Sequence, residues 1–101
     1  MIIDNITVLD QELYLLALKK LPKTFRFDDL LNEIHLRRPK FQRKTLRYRL
    51  KKWRNAKIIC KQGFGTRAIY SCLVDEATFL NAEFVYTEKP IDISNNPFIV
   101  I

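Results

Sequence analysis

Glycine is almost missing from this sequence: there are two, Gly63 and Gly65, and both fall in one four-residue stretch. With only four prolines as well, a low-complexity or disordered chain is excluded. Two cysteines, Cys60 and Cys72, make no disulfide framework, and with no CxxC motif and His35 as the single histidine there is no zinc ligand set. Both cysteines stand in strand-like stretches, where two separate buried thiols are the preferred reading over a bridge. No apolar run approaches the roughly 20 residues of a membrane helix, and the acid at Asp4 argues against a secretory leader. The expectation is a cytoplasmic protein (nuclear if the source is eukaryotic) that makes no membrane contact.

The most informative absence is local. From Arg37 to Lys57 there is no Asp or Glu, yet eleven Lys or Arg occur. The whole chain holds 18 basic and 11 acidic residues, net +7, so outside this stretch acids outnumber bases. Segregated positive charge is the footprint of a polyanion binder. Catalytic signatures are missing too: a lone His35 serves no Ser-His-Asp set, and GFGT lacks the lysine of a phosphate loop. The acidic pairs Asp28-Asp29 and Asp75-Glu76 read as helix starts, where carboxylates offset exposed N–H groups. No enzyme, cofactor or metal is expected.

What is present suits one domain: 101 residues, 48% hydrophobic, with seven Phe, four Tyr and one Trp. Residues 1–9 are apolar and β-branched, a short strand or a packing arm. Asp10 reads as the N-cap of a first helix ending at Pro22, with Leu13, Leu16 and Ala17 inward. KTFRF is a connector or a very short strand. Asp28 reads as the cap of a second helix running to about Leu36, with Phe27 and Leu31 spaced for a hydrophobic staple. His35 near its end is given no chemistry.

A third helix spans about Gln42 to Ala56. Leu46, Leu50 and Trp53 recur at i, i+4, i+7, one helical stripe, so Trp53 is core. Lys44, Tyr48, Lys51 and Asn55 then point the other way, with Arg47 on the flank. Ile58 to Gln62 and Arg67 to Val74 are strands around the glycine turn, a β-hairpin in which both glycines take positive φ. Asp75 caps a last helix, EATFLNAEF, with Phe79, Leu80, Glu83 and Phe84 on one face. The tail from Val85 ends in Phe98-Ile99-Val100-Ile101, expected to tuck against the core or meet a partner.

Helix, helix, basic helix and β-hairpin in that order resembles the winged helix-turn-helix family. TLRYRLKKWRNAKII, Thr45 to Ile59, looks like the family's third helix running into the first wing strand, with Lys57 where a glycine is usual. GFGTRAIYSCL resembles the wing tip and returning strand. The resemblance implies an α+β fold, a three-helix bundle with a two-stranded wing, over residues 10–74. Residues 1–9 are then an N-terminal arm and 75–101 a C-terminal extension.

The resemblance further implies a small transcriptional regulator binding double-stranded DNA with the third helix in the major groove. The base-reading residues would be Gln42, Arg43, Lys44, Arg47 and Tyr48, with Lys51 continuing that face. Arg can fork onto guanine and Gln onto adenine. Arg37, Arg38, Lys40 and Lys52 would meet phosphates, and Lys61, Gln62, Thr66 and Arg67 would act from the wing. Phe64 either folds back on the core or lies on a sugar, a base step or a partner. A homodimer through residues 1–9 or 79–101 is a separate expectation. The alternative is a winged helix used to hold another protein, as a subunit of a nucleic-acid complex or a small phage or plasmid inhibitor.

Overall fold

The computed structural model describes residues 1–86. Among the described residues it is an α+β fold of four helices and five strands in two sheets. In chain order these are β1 (Ile2–Ile6), α1 (Val8–Lys20), β2 (Thr24–Arg26), α2 (Phe27–Arg37), α3 (Arg43–Asn55), β3 (Ile59–Gln62), β4 (Ile69–Cys72), α4 (Glu76–Leu80) and β5 (Glu83–Tyr86).

Two sheets close the fold. β2, β4 and β3 form an antiparallel sheet in that order, with Phe25 opposite Tyr70 and Lys61 opposite Tyr70 from the other side. Within KTFRF, Thr24–Arg26 is therefore a short strand. The β3–β4 connection turns through Gly63 at φ 88° and Gly65 at φ 61°, as the glycine pair predicts, and then a single 3₁₀ turn, Gly65–Arg67. β1 pairs in parallel with β5, Ile3 opposite Phe84, which ties the first strand to the end of the described chain.

α1 is the hub. It is apolar almost all round because it is covered on several sides: Leu13, Tyr14, Leu16 and Ala17 are buried, and Leu9, Leu15 and Leu18 pack at the edge of the core. The Tyr14 ring stacks on Phe79 at 4.5 Å between centroids and meets Trp53 edge-on at 5.5 Å. Its hydroxyl donates to the Ile58 carbonyl and accepts from the Val74 amide at 3.3 Å. Desolvation pushes the Tyr14 phenol well above its ordinary value. One side chain thus fastens α1 to the start of β3, the end of β4 and α4.

α3 docks as its spacing predicts. Leu46, Leu50 and Trp53 are 0–2% exposed, each side chain contributing about 1.5–3 kcal/mol through burial. Its end is a left-handed cap: the Lys57 amide donates to the Arg54 carbonyl at 3.0 Å and the Ile58 amide to the Trp53 carbonyl at 3.1 Å. Lys57 itself has φ 64°, the conformation that glycine adopts without strain.

Three expectations from the sequence need correction. α1 begins earlier than expected: Thr7 is its N-cap, its Oγ1 accepting from the Asp10 amide at 3.0 Å, and Asp10 answers with Oδ2 on the Thr7 amide at 2.9 Å. α2 begins at Phe27, so Phe27 is inside the helix, and Asp29 rather than Asp28 accepts from the Arg26 amide at 2.9 Å. The last helix does start with Asp75 capping Thr78 at 2.8 Å, but it stops at Leu80. Phe84 lies instead on β5, where pairing with β1 outweighs the helical spacing of EATFLNAEF. The tail's apolar end lies outside the described residues.

Candidate functional site

Basic side chains on α3 divide by face. One set is structural. Asp10 is fully buried, and three α3 side chains converge on its carboxylate: Arg49 Nη1 at 2.8 Å and Trp53 Nε1 at 3.0 Å on Oδ1, and Lys52 Nζ at 2.9 Å on Oδ2. Arg49 Nη1 also donates to Thr7 Oγ1 at 2.8 Å. Burial by itself would raise the Asp10 carboxyl; the Arg49 and Lys52 hydrogen bonds, the Arg49 charge and the Trp53 bond outweigh it and hold the carboxyl below its ordinary value. Lys52 is therefore no phosphate contact: it is 7% exposed and committed to Asp10. Its ammonium also lies 5.5 Å from the Tyr48 ring centre.

The other set faces out. Gln42, Arg43, Lys44, Arg47, Tyr48 and Lys51 are all exposed, Tyr48 at 60%. They form two stripes. Lys44 and Tyr48 are exposed outside the cleft beside the hairpin. Arg43, Arg47 and Lys51, followed by Arg54, line a cleft of about 310 Å³ between α3 and the β3–β4 hairpin.

From the hairpin the same cleft receives Lys61 and Thr66, and Phe27, Leu50 and Tyr70 supply apolar surface. The Arg43 and Arg47 guanidiniums lie over the Phe27 ring at 5.0 and 5.6 Å, a cation–π arrangement. Arg43 Nη2 also bonds Asp28 Oδ1 at 2.9 Å. Burial raises the Tyr70 hydroxyl, and the charges of Arg54 and Arg47 pull it partly back. Both guanidiniums are thus turned toward the sheet.

The remaining sequence-predicted residues do not join the cleft. Arg37 and Lys40 are exposed beside the α2–α3 turn. Arg38 is held by Glu12, Nε at 3.2 Å and Nη2 at 3.1 Å; an exposed pair contributes at most about 1 kcal/mol, so a competing phosphate can displace it. Gln62 and Arg67 are exposed on the hairpin. Phe64 does not fold back on the core: it is 90% exposed at the tip. His35 meets the Phe41 carbonyl through Nε2 at 2.9 Å, a local tie at the turn.

Sequence reasoning missed Arg54, Phe27 and Tyr70 as one surface. Arg54 had a signal, three residues beyond Lys51 and seven beyond Arg47. Phe27 and Tyr70 had none, since the β2–β4 pairing brings them together. The thiols of Cys60 and Cys72 are unbridged and half-buried, Cys60 Sγ lying 2.9 Å from Ser71 Oγ. Among the described residues no helix is long and apolar enough to cross a membrane, and no cluster of three His, Cys, Asp or Glu side chains could hold a metal. Comparison of the chain with protein-family models, with curated proteins and with solved structures finds no match.

Proposed function

We propose that this chain is a DNA-binding winged helix protein, a small transcriptional regulator that reads the major groove with α3 and braces the backbone with the β3–β4 hairpin. One observation carries the reading: α3 has no acidic residue and sorts its cations by face. Lys52 and Arg49 are held inside on Asp10, while Lys44 and Tyr48 lie on the outer face and Arg47 and Lys51 on the flank beside the hairpin cleft, on a rod that its own buried side cannot let rotate. A disordered basic tail would not need this division. The order of three helices and a hairpin, with no Asp or Glu from Ile58 to Val74, supports the same reading. Such a protein acts where DNA is, in the cytoplasm or, in a eukaryote, the nucleus.

Dimerisation stays part of the proposal, because one short helix reads few base pairs. Within the chain β1 already pairs with β5, so the first strand is not a free arm. Exposed Ile2 and Val85 beside that pairing are the surface to test, by sedimentation at high micromolar concentration.

Selection of bound sequences from a random duplex pool at two salt concentrations tests the central reading. Log affinity is expected to fall by about 0.9 per phosphate neutralised. Arg47→Ala should relax base preference, and Lys51→Ala should weaken all sequences alike and lower the salt slope by about 1. Absence of duplex retention at moderate salt, with a stoichiometric protein partner recovered instead, would transfer the outward face of α3 to a protein-binding role.

A further inference from the structure

Part of the basic surface is a cleft in the angle between α3 and the hairpin, beside the Lys44–Tyr48 stripe of α3. Its volume, about 310 Å³, is at the lower end of small-ligand sites. Five cations reach it (Arg43, Arg47, Lys51, Arg54 and Lys61) against one carboxylate, Asp28. A site built only for phosphate needs donors and charge; here Phe27, Leu50 and Tyr70 supply an apolar floor as well. Two guanidiniums already lie over the Phe27 ring. Aromatic rings and guanidinium planes are the two surfaces on which proteins stack unpaired bases.

We propose that this cleft is a nucleotide pocket. It seats one unstacked nucleotide, the base among Phe27, Arg43 and Arg47 and the phosphate among Lys51, Arg54 and Lys61. Two sources carry that chemistry: a free nucleoside phosphate, or one nucleotide of an unpaired strand. The inference stands on the cleft: it shares Arg43, Arg47 and Lys51 with the proposed duplex-reading face, whereas Lys44 and Tyr48 belong to that face alone and Phe27, Arg54 and Tyr70 to the cleft alone.

The test titrates the isotope-labelled full chain with AMP, with inorganic phosphate and with a short oligo-dA strand, following amide shifts. AMP is expected to move the Gly65, Thr66 and Tyr70 signals and to bind at least tenfold more tightly than phosphate. Phe27→Leu, which keeps an apolar side chain, should weaken AMP by about tenfold, the scale of base–aromatic stacking. Arg54→Ala, at an exposed position, should weaken AMP severalfold with the melting temperature unchanged, which keeps the test valid if Phe27→Leu fails to fold. Tighter binding of the strand than of AMP assigns the pocket to unpaired nucleic acid; equal binding assigns it to the free nucleotide. Phosphate matching AMP, shifts confined to residues outside the cleft, or no AMP or strand binding at millimolar concentration would overturn it. Duplex binding measured in parallel keeps the two proposals apart, because either can fail while the other holds.

Discussion

Asp10 and Lys52 face each other at 2.9 Å, the carboxylate fully buried and the ammonium nearly so. Forty-two residues apart in sequence, they turn a helix that looks wholly basic into one with an inner and an outer side. Removing the carboxylate strands Arg49 and Lys52 in the interior. Asp10→Ala is therefore expected to cost about 3–5 kcal/mol, the range for breaking a buried ion pair from one side. Lys52→Ala should cost about 2 kcal/mol as a lost charge-assisted bond, and should leave the duplex affinity of the folded protein unchanged. Denaturant melts and a binding titration on the same samples check both, and loss of affinity without loss of stability would return Lys52 to the surface.

The same cluster sets an acid limit. Asp10 has a lower pKa folded than its ordinary 3.8, so its contribution to stability is complete above about pH 5 and is lost as pH falls through 3.8 toward the folded value. Unfolding free energy measured from pH 6 to pH 2 should drop below about pH 4. Asp10→Asn should start lower and lose that part of the drop. Asp75, whose carboxyl is lowered by its bonds to Thr78, titrates in the same window, so Asp75→Asn is the control that must keep most of it.

Tyr14 makes a second prediction from a single atom. Its hydroxyl is shared by the Ile58 carbonyl and the Val74 amide, which flank the open end of the hairpin, where the Leu73 amide also donates to the Ile58 carbonyl at 2.9 Å. Tyr14→Phe keeps the stack on Phe79 but takes the hydroxyl from the buried Val74 amide and leaves the Ile58 carbonyl with the Leu73 amide alone. A loss of about 1–3 kcal/mol is expected, with the far-ultraviolet spectrum unchanged. A neutral result would mean that water or a shifted backbone takes over the hydroxyl's place.

These two side chains also show where the sequence is legible. The α3 seam could be read because Leu46, Leu50 and Trp53 declare their period within eight residues, and the hairpin because its glycines mark the one place needing positive φ. Asp10 looked like an N-cap because an acid before an apolar stripe usually is one. Its partners Arg49, Lys52 and Trp53 lie 39 to 43 residues away, and nothing local distinguishes an inward cation from an outward one. β5 was hidden for the same reason: its partner strand is at the other end of the chain. In the candidate site, the outward residues of α3 followed from helix period alone, whereas the Phe27–Tyr70 floor required the β2–β4 register.

Lys57 offers a test in the stabilising direction. It occupies the position just past α3 where the cap needs φ near 64°, which costs a residue with a Cβ roughly 1–2 kcal/mol. Glycine removes that cost and loses part of the gain to its freer unfolded state. Lys57→Gly is expected to raise stability by about 0.5–1 kcal/mol, read as a higher denaturant midpoint with unchanged slope. A lower midpoint would show that the Lys57 side chain contributes more than its backbone costs.

Phe64 is the most exposed of the large hydrophobic side chains among the described residues. It stands 90% exposed between two glycines on a hairpin segment with Lys61 and Arg67 near and no acid from Ile58 to Val74. On the proposed reading the tip meets a groove, where an apolar ring can press on a sugar or wedge into a base step. Phe64→Ala should then leave stability within about 0.5 kcal/mol, as for surface changes generally, and lower duplex affinity severalfold. Phe64→Trp should restore binding and give fluorescence that duplex quenches. If Phe64→Ala binds duplex as the parent does and the tryptophan signal stays flat, the hairpin tip points away from the nucleic acid and the docking orientation of α3 must be redrawn.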